Sequence, residues 1–116
     1  MSIEAGIFSA LRGLVADRVY PDPPDPMPQR PYIVHQRLPG VAINFLDGSV
    51  PGKDNGRFQI NCWCDTRVDA IALMHQVESA MRLAASLQTT VLGSPASLYE
   101  PDTKLRGAMQ DFSCWS

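Results

Sequence analysis

The sequence predicts an α+β fold in which two helices cover one face of a mostly antiparallel sheet of about four strands. Two segments repeat apolar residues every three to four positions, which is typical of amphipathic helices. Other segments alternate apolar and polar residues, as strands with one buried face do. The predicted order is helix, strand, strand, helix, strand, strand. Since the chain has 116 residues, of which 45% are hydrophobic, we expect a single domain over residues 1–116 with its own core.

The first helix is predicted over Ile3–Ala16, where the apolar residues Ile3, Ile7 and Leu11 recur on one face. Ser2 is the expected N-cap. A Pro-rich segment follows over 21–31, in which six of eleven residues are proline. That density excludes a helix or a central strand and predicts an extended, semi-rigid connector. The segment also contains PxxP patterns, which any run so dense in proline produces.

The first strand is predicted over Tyr32–Leu38, with His35 as a partly exposed residue. The clearest strand covers Arg57–Cys64, where even-numbered residues face the core and odd-numbered residues face away. Trp63 therefore lies on the polar side. It either meets the edge of a helix or lies in a subunit interface, where tryptophan is enriched.

A long excursion over residues 39–56 separates these two strands, and we expect either a loop or a hairpin arm. Val41–Leu46 has a strand-like composition, and Asp47-Gly48 is a strong turn dipeptide. Connections of this length in a small domain are usually functional or disordered. Phe45 and Leu46 are therefore candidates for contact with a partner, and packing on the sheet is the alternative.

The second helix is predicted to begin after Thr66, whose side chain and Asp69 match a capping pattern, and to end near Leu87. Its apolar stripe comprises Val68, Ile71, Leu73, Met74, Val77, Met81 and Ala84. His75 is expected on the solvated side. A short strand over residues 88–92 continues after a bend over 96–100. The last strand covers Gly107–Trp115, where Phe112 and Cys114 alternate with Asp111, Ser113 and Trp115.

The cysteines, histidines and short motifs of the sequence predict no catalytic or metal site. The chain has three cysteines, Cys62, Cys64 and Cys114. Because an odd number does not suggest a disulfide framework, we expect reduced, buried thiols. A zinc site at Cys62 and Cys64 would need two further ligands, and Cys114 and the two histidines lack the required spacing. The sequence contains no GxGxxG, GxxxxGK[ST], GxSxG or HExxH motif. We therefore expect no enzyme activity, no cofactor and no metal.

Charge and hydropathy argue against nucleic acid and membrane as partners. The net charge of -2 argues against extensive binding to nucleic-acid phosphates, which needs clustered positive charge. No apolar run approaches the length of a membrane span, and the first residues lack the pattern of a secretory signal. These properties predict a small cytoplasmic domain and do not identify its function.

Six segments, taken in order, resemble a known family. They are Asp17–Pro21, Arg30–Val34, Arg57–Trp63, the helix that begins at Thr66, Leu98–Thr103 and Asp111–Trp115. Over nearly the whole chain this pattern resembles the tail-completion, or tail-terminator, proteins of long-tailed bacteriophages and prophages. The order and spacing of the segments carry the likeness, since no single motif is diagnostic.

The resemblance implies a structural virion protein that forms a ring, commonly a hexamer, on the head-proximal end of the tail tube. Such a ring stops tube growth and presents a surface for head–tail joining. The implied partners are further copies of the chain, the tail tube protein and a head-side connector protein, with DNA only as cargo passing through the ring and no membrane. The implied location is the bacterial host cytoplasm during assembly and then the mature virion tail.

A ring subunit must offer an edge, arm or surface to its neighbour. The candidate contact residues are Phe45, Leu46, Arg57, Trp63 and Trp115. Two alternatives remain open from the sequence. One is another neck or head–tail connector component, and the other is a stand-alone ligand-binding or regulatory α+β domain.

Overall fold

Six strands form one mixed sheet in the part of the chain that the computed structural model describes, residues 2–39 and 55–115. The strands are β1 (Val19–Tyr20), β2 (Tyr32–Leu38), β3 (Asn55–Cys64), β4 (Thr90–Val91), β5 (Ala96–Glu100) and β6 (Leu105–Trp115). The helices are α1 (Ile3–Leu11) and α2 (Arg67–Leu83). Short 3-10 turns follow them at Arg12–Leu14 and Ala85–Leu87.

The strand order in the sheet is β1-β2-β3-β6-β4, and β5 also pairs with β6. Every pair is antiparallel except β1 with β2. The α+β class and the mostly antiparallel sheet are therefore confirmed, whereas the expected number of about four strands is too low. The two-residue β1 is too short to show an alternating pattern. The segment expected as one bent strand forms two, because β4 and β5 pair with different parts of β6.

Both helices pack on one face of the sheet, as predicted, and the main core fills the space between them. Among the largest fully buried side chains are Phe58 and Phe112 from the sheet, Ile7 and Leu11 from α1, and Met74 and Met81 from α2. Burial of one such side chain contributes about 1.5–3 kcal/mol. The alternation predicted for β3 and β6 is confirmed, since Phe58, Ile60, Cys62, Phe112 and Cys114 are all fully buried.

Side-chain caps begin both helices where the sequence indicates. The Ser2 hydroxyl accepts a hydrogen bond from the Ala5 amide, and the Thr66 hydroxyl accepts one from the Asp69 amide, each at 3.1 Å. The first helix ends at Leu11, earlier than predicted. Ala16 and Asp17 follow with positive φ values of 50° and 67°, which a continuous helix excludes.

The lack of a side chain at Gly6 lets α1 lie close to the 3-10 turn that follows α2. A Cβ atom at this position would lie 2.6 Å from Cδ2 of Leu87 in the 3-10 turn after α2. A glycine lowers the propensity of α1 by about 1 kcal/mol relative to alanine. Its small size lets the helix pack directly against Leu87, which is 2% exposed.

Gln110 is a buried polar residue that ties α2 to the sheet. Its Nε2 donates to Glu78 Oε1 at 2.7 Å and to the Gly93 carbonyl at 2.6 Å. The hydrogen bond from Gln110 holds the pKa of Glu78 below its ordinary value. These two hydrogen bonds satisfy the buried Nε2 group of Gln110, as burial requires.

Two predictions for individual side chains are wrong. Val68, expected in the apolar stripe of α2, is 78% exposed, because the buried face of the helix runs through Ala70, Leu73, Met74, Val77 and Met81. His35, expected to be partly exposed, is 3% exposed. Its ring lies on the helix-facing side of β2 and contacts the Phe58 ring edge-on, with centroids 6.3 Å apart.

We expect the buried His35 to make the fold less stable in mild acid. Burial lowers the pKa of His35 from its ordinary value of 6.5, although the charges of Glu4 and Asp22 act in the opposite direction. The unfolded chain therefore binds the proton more readily, so the free energy of unfolding decreases as pH falls through about 6.5. Urea denaturation between about pH 5 and pH 8 measures this slope.

His35→Gln should reduce that slope, and His75→Gln is the matched control because His75 is exposed on α2. An unchanged slope in the His35→Gln variant would contradict the prediction.

Candidate interaction surface

The sheet face opposite the helices, which we call the outer face, carries three of the five candidate contact residues. Directly opposite residues of an antiparallel pair share a face, and Tyr32 lies opposite Trp63, Leu38 opposite Arg57, and Asn55 opposite Trp115. Trp63 therefore lies at one end of the outer face, and Arg57 and Trp115 lie towards the other. Phe45 and Leu46 lie outside the described residues.

Trp63 packs within a small second hydrophobic cluster on the outer face. The cluster contains the buried residues Tyr32, Val34 and Leu105, with Tyr20 and Trp63 packed against it. The Tyr20 and Tyr32 rings meet edge-to-face, with centroids 6.3 Å apart. Of the two environments expected for Trp63, the edge of a helix is therefore wrong, because the indole lies on the face that the helices leave uncovered.

Gly107 makes room for this indole. It lies opposite Trp63 in the β3–β6 pair. A Cβ atom at Gly107 would come within 2.7 Å of both the Cys62 carbonyl oxygen and Cε3 of Trp63. The indole therefore lies across the backbone of β6, and any larger residue at Gly107 would displace it.

The Pro-rich segment forms one wall of a groove over this cluster, which we call the outer groove. Its volume is about 410 Å³, within the range of about 300–1,000 Å³ that is common for small-ligand sites. One wall is formed by Pro23, Pro24 and Met27, and the other by Glu100, Asp102 and Thr103. The floor is formed by Tyr32, Val34, Gln36, Asn61, Trp63 and Leu105.

Two polar features distinguish the outer groove from a purely apolar cleft. The Oδ1 atom of Asn61 is buried and has no hydrogen-bond partner within the described residues. The charged residues in the lining are both acidic, Glu100 and Asp102, and the Glu100 carboxylate accepts a hydrogen bond from the Asp102 amide at 3.0 Å. The groove thus offers hydrogen-bond acceptors beside an apolar floor.

The other end of the outer face is polar. Arg57 donates to the Asp111 carboxylate at 2.7 Å, and their side chains are 46% and 21% exposed. Asn55 Nδ2 donates to the Ser113 hydroxyl at 3.0 Å and to the Cys114 carbonyl at 3.1 Å. Ion pairs so exposed contribute about 0–1 kcal/mol, so this end adds polarity to the surface more than stability.

The three thiols lie on the helix-facing side, away from the outer groove. All are buried and free. The Cys62 thiol donates to the Ala70 carbonyl at 3.3 Å, and the neighbouring Cys64 thiol and burial raise the pKa of Cys62 well above its ordinary value. A protonated thiol is a poor nucleophile and a poor metal ligand. Residues 2–39 and 55–115 contain no group of three or more His, Cys, Asp or Glu residues that could hold a metal ion.

A family model described as "Tail completion protein gp17" matches residues 8–116. The chain belongs to this family. The match covers α2 and all six strands of the described sheet, so it extends over the core, the outer face and the outer groove. The likeness seen in the sequence is confirmed, and the protein is a structural component of a phage tail that assembles with other virion proteins.

A comparison with curated proteins finds no match. In the part of the chain that the structure describes, no helix is both long enough and apolar enough to span a membrane.

The outer groove is the feature that the sequence did not reveal. Its floor joins residues of three strands, and its wall comes from a segment without helix or strand. A signal was nevertheless present. Tyr32, Val34 and Trp63 are large apolar residues at positions that alternate with the main core, which indicates a second apolar cluster on the opposite face.

We expect Gly107→Ala to destabilise the protein by about 1–3 kcal/mol, because the new methyl group overlaps the Trp63 indole and the Cys62 carbonyl. Urea denaturation measures the loss. Tryptophan emission, recorded in a Trp115→Phe background, reports whether the indole moves. Gly93→Ala is the matched control, since a Cβ atom there meets nothing within 4 Å. Equal stability of the two variants would refute the overlap.

Proposed function

We propose that the protein caps the head-proximal end of the phage tail tube, ends tube growth and provides the surface on which the head is joined. The observation that carries this proposal is the match of the tail completion family model to residues 8–116. The proposal goes beyond the family's general tail role by assigning a place and an action within the virion.

The physics of tube growth explains why such a protein is needed. A tube built from identical stacked rings exposes the same accepting surface after each addition, so a heterologous contact does not stop by itself. A terminator must match that surface on one side and differ from it on the other. The outer face has two chemically different ends, an apolar groove near Trp63 and a polar end at Arg57 and Asp111, which supports separate contacts.

We infer that six copies form the ring, with the tail tube protein and a head-side connector as partners and with DNA passing through it as cargo. The candidate contacts remain Phe45, Leu46, Arg57, Trp63 and Trp115. The ring assembles in the bacterial host cytoplasm and stays in the mature tail. In this proposal residues 1–116 are one terminator-like domain, with 21–31 as a connector and 39–56 as a loop or hairpin arm. The net charge of -2 suits a ring that DNA must leave freely.

Deletion of the gene from its phage should give tails that fail to join heads, with tubes of abnormal length. Growth lacks its terminating surface, and the head lacks its docking surface. Electron microscopy of lysates measures both effects, and added purified protein should restore joining.

Tubes of normal length that fail only at joining would indicate a different neck component instead. Normal tails that carry heads and infect would refute the proposed function.

A further inference from the structure

The outer groove is an apolar surface that residues 2–39 and 55–115 leave open. Met27 on its wall is 49% exposed, and Trp63 on its floor is only partly buried. The Asn61 Oδ1 atom on the same floor is buried without a hydrogen-bond donor in the described residues. A buried acceptor without a partner is costly, so the groove suits an occupant that brings both apolar side chains and an N–H group.

The groove lies at one end of the β2–β3 pair, and the ends of β2 and β3 that lead into residues 40–54 lie at the other. The groove surrounds the end at which Tyr32 lies opposite Trp63. Residues 40–54 connect the other end, beyond the point where Leu38 lies opposite Arg57. The six residue steps between these two ends span about 20 Å.

The sequence of residues 40–54 has the composition that the groove requires. The stretch over 40–46 contains Val41, Ile43, Phe45 and Leu46 and no charged residue. A chain of 15 residues, the length of 40–54, can span at most about 25 Å out and back, which exceeds the length of the β2–β3 pair. Their backbone supplies N–H groups for an acceptor such as Asn61 Oδ1.

We propose that residues 41–46 of one copy dock in the outer groove of the neighbouring copy, and that this contact joins the ring. The inference rests on the proposed function, from which the ring is taken. Because the arm leaves one end of the sheet and the groove lies at the other, the contact is head-to-tail. Such a heterologous contact closes into a ring when its rotation allows. The occupant is a second copy, and the chain's own groove and the tube protein are the competing occupants.

Disulfide trapping tests which copy is bound. Mixing the single variants Met27→Cys and Phe45→Cys under mild oxidation should give a covalent heterodimer at least about tenfold faster than Val68→Cys with Phe45→Cys, because docking raises the effective concentration of the two thiols. Val68 is a matched control, since it is exposed on α2 in the opposite layer. Equal rates would overturn the proposal. So would a purely intrachain disulfide in the Met27→Cys/Phe45→Cys double variant, or trapping of the tube protein instead.

Charge variants test whether the contact holds the assembly together. Met27→Glu and Phe45→Asp should each weaken self-association at least about tenfold, because each buries a charge against apolar groups. Val68→Glu should not. Mixing Met27→Glu with Phe45→Asp restores one intact arm and one intact groove, so sedimentation velocity should show a one-to-one heterodimer. Urea denaturation confirms that the variants are folded.

Different results would refute the arm–groove contact and the proposed function. Variants that assemble like the wild type, or a wild type that neither associates nor is trapped, overturn the arm–groove contact while the deletion phenotype stands. Successful trapping together with normal head joining in deletion mutants overturns the proposed function and leaves the contact in place.

Discussion

The register of β3 against β6 decides the composition of both faces of the sheet. Ten residues of each strand pair without interruption, from Asn55 opposite Trp115 to Cys64 opposite Arg106. A slip of one residue would move either Phe58 or Phe112 out of the main core, because side chains alternate between faces with a period of two. It would also separate Gly107 from the Trp63 indole. The core and the outer groove thus depend on the same alignment.

Much of the fold follows from local patterns in the sequence. The alternation in Arg57–Cys64 and the caps at Ser2 and Thr66 act over a few residues, so the sequence predicts them directly. The departures have non-local causes. His35 is buried by elements far from it in sequence, and β1 exists only because β2 lies beside it. The outer groove depends on the Pro-rich segment crossing the face of distant strands.

The same contrast between local and non-local causes explains why the sequence locates only part of the candidate surface. Placing Arg57, Trp63 and Trp115 on a face away from the main core needs only the period of a strand, and the structure agrees. Grouping Trp63 with Tyr32, Val34 and Leu105 needs the strand order, which one sequence does not contain. A structural role in a virion resides in such extended surfaces, and so the family was recognisable only from the order of many segments.

The use of proline for one wall of the groove has a consequence for any partner that binds there. Proline has a fixed φ angle, so a chain with six prolines in eleven residues has few conformations to lose when it folds over the sheet. The same restriction applies when a partner docks, because the wall needs little further ordering. A contact surface of this kind binds with less loss of entropy than a flexible loop of equal area. The rigidity of the Pro-rich segment therefore lowers the entropic cost of any contact that a partner makes with it.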